Sequence, residues 1–210
     1  MIIAVDGPAA AGKGTLAKKL AKYYNLALLD TGLIYRAVGL KAVLNGDPSD
    51  SEIAIQAAKS LDLTDLKIHD IRGEHAAKSA SLVAAIPAVR DVLLEFQREF
   101  AHNPPDGKLG SILDGRDIGT VVCPDAKFKL YITASLEVRT DRRYKELQER
   151  GEEAIRSAVL DDIKTRDERD IARALSPLKP AGDAKIIDSS DFNASEVFSL
   201  AQEFIRSQMK

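Results

Sequence analysis

The chain has 210 residues, of which 45% are hydrophobic and 30% charged, and its formal net charge is −2. This length suits one sizeable core, and the balanced charge excludes the basic excess typical of nucleic-acid-binding proteins. Cys123 is the only cysteine, which excludes a disulfide framework, and His69, His75 and His102 lack metal-ligand spacing. No signal peptide or membrane helix is evident. We therefore expect a cytoplasmic protein that binds neither nucleic acid nor membranes. A monomeric state is a separate expectation that does not follow from composition.

Short apolar runs alternate with helical patterns along the chain. The predicted strands are IIAVD (2–6), LALLD (26–30), SILD (111–114), KLYITA (129–134) and KIID (185–188). None alternates with polar residues as a one-sided sheet would, so we expect strands that are covered on both faces. Helical patterns occupy 16–24 and 34–44, and Asn45-Gly46 ends the second. The alternation predicts an α/β fold with a five-stranded parallel sheet flanked by helices.

Two regions interrupt this alternation. Residues 47–108 carry helical patterns without a convincing buried strand, and residues 135–182 hold charged helices that end in the proline-containing SPLKPAGD. We interpret both as excursions from one sheet and expect a single domain over residues 1–210.

The first motif, GPAAAGKGT, follows a predicted strand and opens a predicted helix. Its glycines let successive backbone N–H groups face a polyphosphate, and the helix directs its positive end to the same place. The lysine supplies a positive charge near the β- and γ-phosphates. The predicted phosphate-binding loop consists of Gly7, Pro8, Ala9, Ala10, Ala11, Gly12, Lys13, Gly14 and Thr15.

The loop departs from the usual pattern at one position. Gly14 replaces the Ser or Thr that normally follows the lysine, and the hydroxyl comes one place later, at Thr15. We expect Thr15 and Asp114 to bind Mg²⁺, directly or through water, and the phosphates to supply most of its ligands. Asp114 ends an apolar strand, where it is also suited to a helix-capping role.

A small phosphate-binding-loop protein with two excursions resembles a kinase in its organisation. No guanine-reading N-K-x-D segment occurs, and a motor or large ATPase would need a longer chain. One excursion would bind the acceptor, over about residues 32–108. The other would be a lid over about residues 139–181, because phosphoryl transfer must exclude water.

Arginines follow two of the predicted strands at the edge where α/β proteins bind ligands. Asp30-Thr31-Gly32-x-x-Tyr35-Arg36 comes after the second strand, and Asp114-Gly115-Arg116-Asp117 after the third. A phosphate-monoester acceptor needs no general base, because its second pKa of about 6 makes it an oxyanion at neutral pH. It needs positive charge to hold two phosphates in line. A sugar kinase, by contrast, would need a carboxylate to take a hydroxyl proton.

The charge run RDERDIAR (166–173) has two interpretations. On a helix, Arg166, Asp170 and Arg173 share one stripe, which suits either a solvated ladder or a substrate-facing surface. We favour the second because the run lies in the lid excursion. Asp167 and Glu168 are expected to be solvated.

Together, GPAAAGKGT, DTGLIYR, DGRDIGTVVCPDA, RRYKELQERG and RDERDIARALSPLKPA resemble the bacterial cytidylate kinase family of nucleoside monophosphate kinases. The resemblance covers essentially the whole chain. It implies ATP-dependent phosphorylation of CMP and dCMP, a five-stranded parallel sheet, a CMP-binding insert and a lid.

The resemblance also implies roles for individual residues. Lys13 and the loop would bind ATP, with Arg142 and Arg143 at the start of the lid. The CMP phosphate would be held by Arg36, Arg116 and Arg173, the ribose by Tyr35, Arg166 and Asp170, and cytosine by Ser81, Arg90 and Asp117. Thr31 would be a further substrate-binding residue. Such enzymes often carry a small β hairpin between the positions of Leu61 and Ser81, for which this chain leaves little room.

Alternatives to a CMP kinase remain at this stage. They are a kinase of another nucleotide or a sugar-like acid, and a non-catalytic nucleotide-binding module.

Overall fold

The computed structural model describes residues 1–68 and 71–209, so His69 lies outside the described residues. The strands are β1 (Ile2–Asp6), β2 (Ala27–Asp30), β3 (Ser111–Asp114), β4 (Phe128–Thr133) and β5 (Lys185–Asp188). The helices are α1 (Lys13–Tyr24), α2 (Thr31–Asn45), α3 (Ser51–Lys59), α4 (Glu74–Val83), α5 (Pro87–His102), α6 (Leu136–Glu149), α7 (Arg156–Ala172) and α8 (Ala194–Met209). Every helix in these described ranges is too short or too polar to span a bilayer.

The five strands form one sheet in the order β2-β3-β1-β4-β5. β1 runs parallel to both of its neighbours, with Ile3 opposite Ile112 on β3 and Phe128 on β4, and β4 runs parallel to β5. Parallel neighbours require crossover connections, which the intervening helices supply. The predicted α/β fold and the five predicted strands are confirmed.

The expectation that every strand is covered on both faces is wrong for β5. This strand is at one end of the strand order, and Ile187 is its only buried residue in the segment Lys185–Asp188. β2, at the other end, is only half-buried at alternate positions. An edge strand has a neighbour on one side only, so less of its surface is covered than on β1.

The chain divides into two compact units, Met1–Leu28 with Ala101–Lys210, and Leu29–Phe100. In the first unit, one face of the sheet packs against α1 and α8. Alternate strand residues such as Ile3 and Val5 lie in this core together with Leu20 and Ile205. The period of two follows from the pleat of a strand, and it leaves Asp6 on the opposite face of β1.

The opposite face of β1 contacts a short helical turn, Ile118–Val122. Gly119 is confined there, because a Cβ on it would lie 3.2 Å from Cδ of Lys129 and 3.4 Å from Oδ2 of Asp6. The residues that follow β3 are therefore held against the end of β1.

The second unit is helical and is centred on a close packing of α2 and α4. A Cβ on Gly39 of α2 would lie 2.7 Å from the backbone N of Ala80 on α4, so a glycine is needed for this approach. Asp30 caps α2, since its Oδ1 accepts from the N–H of Gly32 at 3.1 Å. Between Leu61 and Ser81, the described residues form a 3₁₀ turn at 65–67 and the start of α4, and none of them lies in a strand.

Candidate active site

The loop between β1 and α1 has the backbone geometry that its sequence predicts. Gly7 has φ 141°, and a Cβ there would lie 1.9 Å from the carbonyl oxygen of Ile132, so no other residue fits without backbone displacement. Ala10 (φ 58°) and Gly12 (φ 93°) are also left-handed, and α1 begins directly after Gly12. The N–H groups of the first turn of α1 are thereby available to an anion.

Lys13 is buried at the start of α1, and its ammonium group contacts both the loop and β3. Its Nζ donates to the carbonyl oxygen of Pro8 at 2.8 Å and lies 3.9 Å from Oδ1 of Asp114. Burial lowers the pKa of Lys13 to about 7, and the positive charges of Arg116 and Arg166 act in the same direction. The positive charge of Lys13 is therefore only partly compensated in this unit, and a bound polyphosphate would supply the missing negative charge.

Asp114 lies at the end of β3, with its carboxylate directed at the phosphate-binding loop. A Cβ on Gly14 would be 3.4 Å from Oδ2 of Asp114, so the position that usually carries Ser or Thr is in contact with this carboxylate. Thr15 is exposed one residue further on. A carboxylate and a hydroxyl beside a phosphate site are hard oxygen donors, which fit Mg²⁺. Among residues 1–68 and 71–209, no group of three or more His, Cys, Asp or Glu could hold a metal ion by itself.

Asp170 joins two of the arginines predicted to bind the acceptor phosphate. Asp170 as a whole is 2% exposed; its Oδ2 accepts from Nε of Arg116 at 3.0 Å, and its Oδ1 lies 2.7 Å from Nη2 of Arg173. Nη1 of Arg116 also donates to the carbonyl oxygen of Gly115 at 3.1 Å. The ribose contact expected of Asp170 stays a prediction, since both of its oxygens already contact arginines here.

The predicted helical stripe at 166, 170 and 173 is wrong at its last member. α7 ends at Ala172, and Arg173 is its C-cap with φ −58° and ψ 129°. The chain folds back there, because the N–H of Leu178 donates to the carbonyl oxygen of Asp170 at 2.8 Å. Arg173 nevertheless reaches Asp170 from beyond the helix. Arg166 is exposed on α7, and its charge acts on Lys13.

Asp167 differs from its predicted role as a solvated charge. Its side chain is 16% exposed and forms an ion pair with Arg139, a buried arginine on α6 that the sequence interpretation did not single out. Glu168 is exposed, as expected. An i,i+4 charge pattern within one helix carries no information about a partner on another helix. The pair is therefore visible only in the structure, where Arg139 is buried.

The two arginines predicted at the start of the lid have different surroundings. Arg142 donates through Nη1 to Oγ of Ser189 at 2.8 Å and through Nη2 to the Ser189 carbonyl oxygen at 2.7 Å. Oγ of Ser189 in turn donates to the carbonyl oxygen of Ala11 at 3.0 Å, which connects Arg142 to the phosphate-binding loop. Arg143 forms a half-buried i,i+3 ion pair with Glu146 at 2.9 Å.

Asp6 is a further buried carboxylate that sequence reasoning missed. Its Oδ1 accepts from the N–H of Ile118 at 2.8 Å and its Oδ2 from that of Gly119 at 2.7 Å. Burial raises the pKa of Asp6 to about 6, and the negative charge of Asp117 adds to this effect. Asp6 thus fixes the backbone directly after Arg116 and Asp117.

In the second unit, Arg36 is held by backbone carbonyls. Its Nη1 donates to the carbonyl oxygens of Ile71 and Gly73, both at 3.1 Å. Between them, Arg72 forms an ion pair with Asp30, with Nη2 and Oδ2 3.1 Å apart. These contacts fix the first turn of α2, which also contains the buried Thr31.

The remaining predicted residues of this unit lie on α2, α4 and α5. The guanidinium of Arg90 is stacked over the ring of Tyr35, with Cζ 5.7 Å from the ring centroid. Ser81 is exposed, and its hydroxyl donates to the carbonyl oxygen of Ala77 at 3.1 Å. An open groove of about 780 Å³ at the end of α2 and on α3 contains none of the predicted site residues.

A glycine-rich loop between a buried parallel strand and a helix, with a buried lysine at the start of that helix, defines a phosphate-binding-loop protein. Residues 3–207 match the sequence model of the family described as Cytidylate kinase. The chain is 56% identical to a cytidylate kinase of Paramagnetospirillum magneticum over 99% of this chain and 98% of that one. It is 51% identical to a cytidylate kinase of Methylocella silvestris over 99% and 94% of the two chains. The chain belongs to the cytidylate kinase family, which confirms the sequence-based recognition.

The fold is also similar to that of a distant solved structure. An uncharacterized protein from Eubacterium ventriosum superimposes with a TM-score of 0.55 at 16% identity, covering 99% of both chains. At this identity the likeness concerns the fold alone.

Proposed function

We propose that this chain is an ATP-dependent CMP kinase that transfers the γ-phosphoryl group of ATP to CMP and dCMP. The products are ADP and CDP or dCDP. Membership of the cytidylate kinase family supports this activity. The observation that carries it is that Nζ of Lys13 lies 3.9 Å from Oδ1 of Asp114, which precedes Arg116 by two residues, and that Arg116 is held by Asp170 of α7 at 3.0 Å. A donor-phosphate lysine and acceptor-side arginines are the parts that an in-line transfer between two phosphates requires.

On the donor side, the loop of residues 7–15 would bind the ATP phosphates through backbone N–H groups. Lys13 would bind near the β- and γ-phosphates, where negative charge replaces its bond to the carbonyl oxygen of Pro8. Arg142 is held beside the loop by Ser189, so we expect it to serve the donor phosphates, with Arg143 as the more solvated member of the lid.

We propose Asp114 and Thr15 as the residues that would hold Mg²⁺, in part through water. When bound there, Mg²⁺ would supply positive charge beside the donor phosphates. Gly14 leaves Asp114 access to the loop, which is the reason for preferring this carboxylate to others in the first unit.

On the acceptor side, Arg36, Arg116 and Arg173 would bind the CMP phosphate. No general base is needed, because the attacking oxygen is already ionised at neutral pH. We assign Asp170 chiefly to holding Arg116 and Arg173, with a ribose hydroxyl as a further partner to be tested. Thr31, Tyr35 and Arg166 would lie near the acceptor sugar and phosphate.

We propose Ser81, Arg90 and Asp117 as the residues that read cytosine. Cytosine presents an amino donor where uracil has a carbonyl acceptor, so a carboxylate such as Asp117 would be left unpaired by uracil. The predicted preference is about tenfold or more in kcat/KM for CMP over UMP.

Three wider expectations from the sequence also remain proposals. They are a single kinase domain over residues 1–210 with an acceptor insert at about 32–108 and a lid at about 139–181, a monomeric state, and a cytoplasmic location. Limited proteolysis, light scattering and cell fractionation would test them in turn.

Direct detection of products tests the proposed activity. The chain is incubated with ATP, Mg²⁺ and CMP, and nucleotides are separated by ion-exchange chromatography. Equal amounts of CDP and ADP are expected, and the Lys13→Gln variant should form neither while retaining its fold. ADP without CDP would contradict the proposal, because it would indicate hydrolysis and not transfer.

A further inference from the structure

Arg139 is a buried arginine that contacts three separate segments of the first unit. It is the fourth residue of α6, and the whole residue is 6% exposed. Nε donates to the carbonyl oxygen of Ala134 at 3.0 Å, Nη1 donates to that of Ala9 at 3.3 Å, and Nη2 lies 2.6 Å from Oδ2 of Asp167. One guanidinium therefore contacts the residue that follows β4, the phosphate-binding loop and α7 together.

We propose that Arg139 and Asp167 are a positioning pair that fixes the acceptor-side face of α7 relative to the phosphate-binding loop. The inference rests on the proposed function for its kinetic consequence, because it assigns Arg166 and Asp170 to the acceptor side. Neither member of the pair is assigned a contact with substrate.

The position of Asp167 on α7 gives the pair its effect. Asp167 directly follows Arg166 and precedes Asp170 by three residues, which is nearly one helical turn. An anchor at Asp167 therefore sets the rotation of α7 about its own axis. Through Asp170 it also sets Arg116 and Arg173, which both contact that carboxylate.

The chemistry of the pair requires an arginine. A guanidinium has donors in a planar fork, so one side chain can serve two carbonyl oxygens and one carboxylate in different directions. A lysine ammonium at the same place is a point charge on a flexible stem. The Asp167 carboxylate depends on this partner, because its Oδ1 is buried without a hydrogen-bond donor among residues 1–68 and 71–209.

A second ion pair between α6 and α7 provides a matched control. Nε of Arg156 donates to Oδ1 of Asp141 and Nη2 donates to Oε2 of Glu137, both at 2.6 Å. These side chains are 43%, 61% and 65% exposed, and the two pairs join α6 and α7 without contacting the phosphate-binding loop. If only the cohesion of α6 and α7 mattered, disrupting the Arg139–Asp167 pair and disrupting the Arg156 pairs would have similar effects.

Steady-state kinetics of Asp167→Asn, Arg139→Lys, the double variant and Arg156→Gln test the proposal. For Asp167→Asn we expect KM for CMP to rise by about fivefold or more while KM for ATP stays within about twofold. Arg139→Lys should raise both KM values, because it also loses the contact with Ala9. The double variant should be no worse toward CMP than Arg139→Lys alone, since the substitutions remove the same interaction. Arg156→Gln should change neither KM by more than about twofold.

Hydrogen exchange supplies a readout that does not depend on turnover. Asp167→Asn lies on α7, yet it should accelerate exchange of the backbone amides of residues 115–117, which are joined to α7 through Arg116 and Asp170, whereas Arg156→Gln should not. Exchange in this segment that is unchanged in Asp167→Asn would overturn the proposal. Equal kinetic losses in Asp167→Asn and Arg156→Gln would also overturn it. Failure of the unsubstituted chain to phosphorylate CMP would instead refute the proposed function, and the exchange result would still decide the positioning role.

Discussion

Asp170 and Arg116 form a buried ion pair, with Nε of Arg116 3.0 Å from Oδ2 of Asp170. The same carboxylate contacts Arg173 through its other oxygen. The loop after β3 and the end of α7 are therefore anchored by one residue that is almost completely inaccessible to solvent. A carboxylate in this position orients two guanidinium groups that would otherwise repel each other.

Substitution of Asp170 by Asn should lower kcat/KM for CMP by about 10- to 100-fold, because both arginines lose the charge that orients them. If the role of Asp170 is to hold the arginines, the loss on dCMP should equal the loss on CMP. A clearly greater loss on CMP would indicate a bond to the 2′ hydroxyl instead. Glu168→Gln, on the exposed side of the same helix, is the control and should leave kcat/KM for both substrates unchanged.

Lys13 should take up a proton when ATP binds. Burial and neighbouring arginines lower its pKa to about 7, so at a pH of about 8.5 it is mostly neutral in the free protein, and bound phosphates should raise that pKa again. Calorimetric titrations in buffers of different ionisation enthalpy should show uptake of about one proton per ATP. Lys18→Met, an exposed lysine of the same helix, should retain this uptake, and Lys13→Met should lose it. Equal uptake in the two variants would contradict this protonation.

Asp6 should make the folded state less stable as the pH rises. The pKa of Asp6 is about 6 in the folded chain, and the ordinary value for an aspartate, taken for the unfolded chain, is 3.8. At a pH between these two values the folded chain therefore holds the proton more tightly than the unfolded chain does. This contribution is present at low pH and is lost as the pH rises through 6. The free energy of unfolding of the unsubstituted chain relative to Asp6→Asn should fall by about 2 kcal/mol between about pH 4 and pH 7. Denaturant titrations at both pH values measure it, and a constant difference would contradict the assignment.

Gly39→Ala should destabilise the chain although alanine is the better helix former. The added Cβ would meet backbone atoms of Ser79 and Ala80 at 2.7 Å, and backbone cannot give way as a flexible side chain does. We expect a loss of about 2 kcal/mol in the free energy of unfolding, against a propensity gain of about 1 kcal/mol. Gly182→Ala is the matched control, because nothing lies within 4 Å of the position a Cβ would take there. Similar changes in the two variants would refute the packing argument.

The sequence predicted the sheet well because strand formation is read from local apolar runs. All five predicted strands form, and the phosphate-binding loop lies between β1 and α1 as expected. Exposure of β5 could not be predicted, since a position at the edge depends on the strand order of the whole sheet.

The missed site residues are those whose partners are distant in sequence. Asp6 contacts amides that follow it by 112 and 113 residues, and Arg139 contacts a carbonyl oxygen 130 residues before it. An acid at the end of an apolar strand was visible in the sequence, but the backbone amides that donate to it were not. Arg173 was placed on the helix because periodicity does not reveal where α7 ends.

The central claim is that this chain phosphorylates cytidine monophosphates. The most direct measurement is kcat/KM with ATP for each of CMP, dCMP, UMP, AMP and GMP, in an assay that couples ADP formation to NADH oxidation. The account predicts turnover with CMP and dCMP. It also predicts that kcat/KM for UMP is lower than that for CMP by a factor of about ten or more. Equal rates on CMP and UMP would contradict the proposed cytosine reading. Preference for AMP or GMP, or turnover with none of the five nucleotides, would contradict the central claim itself.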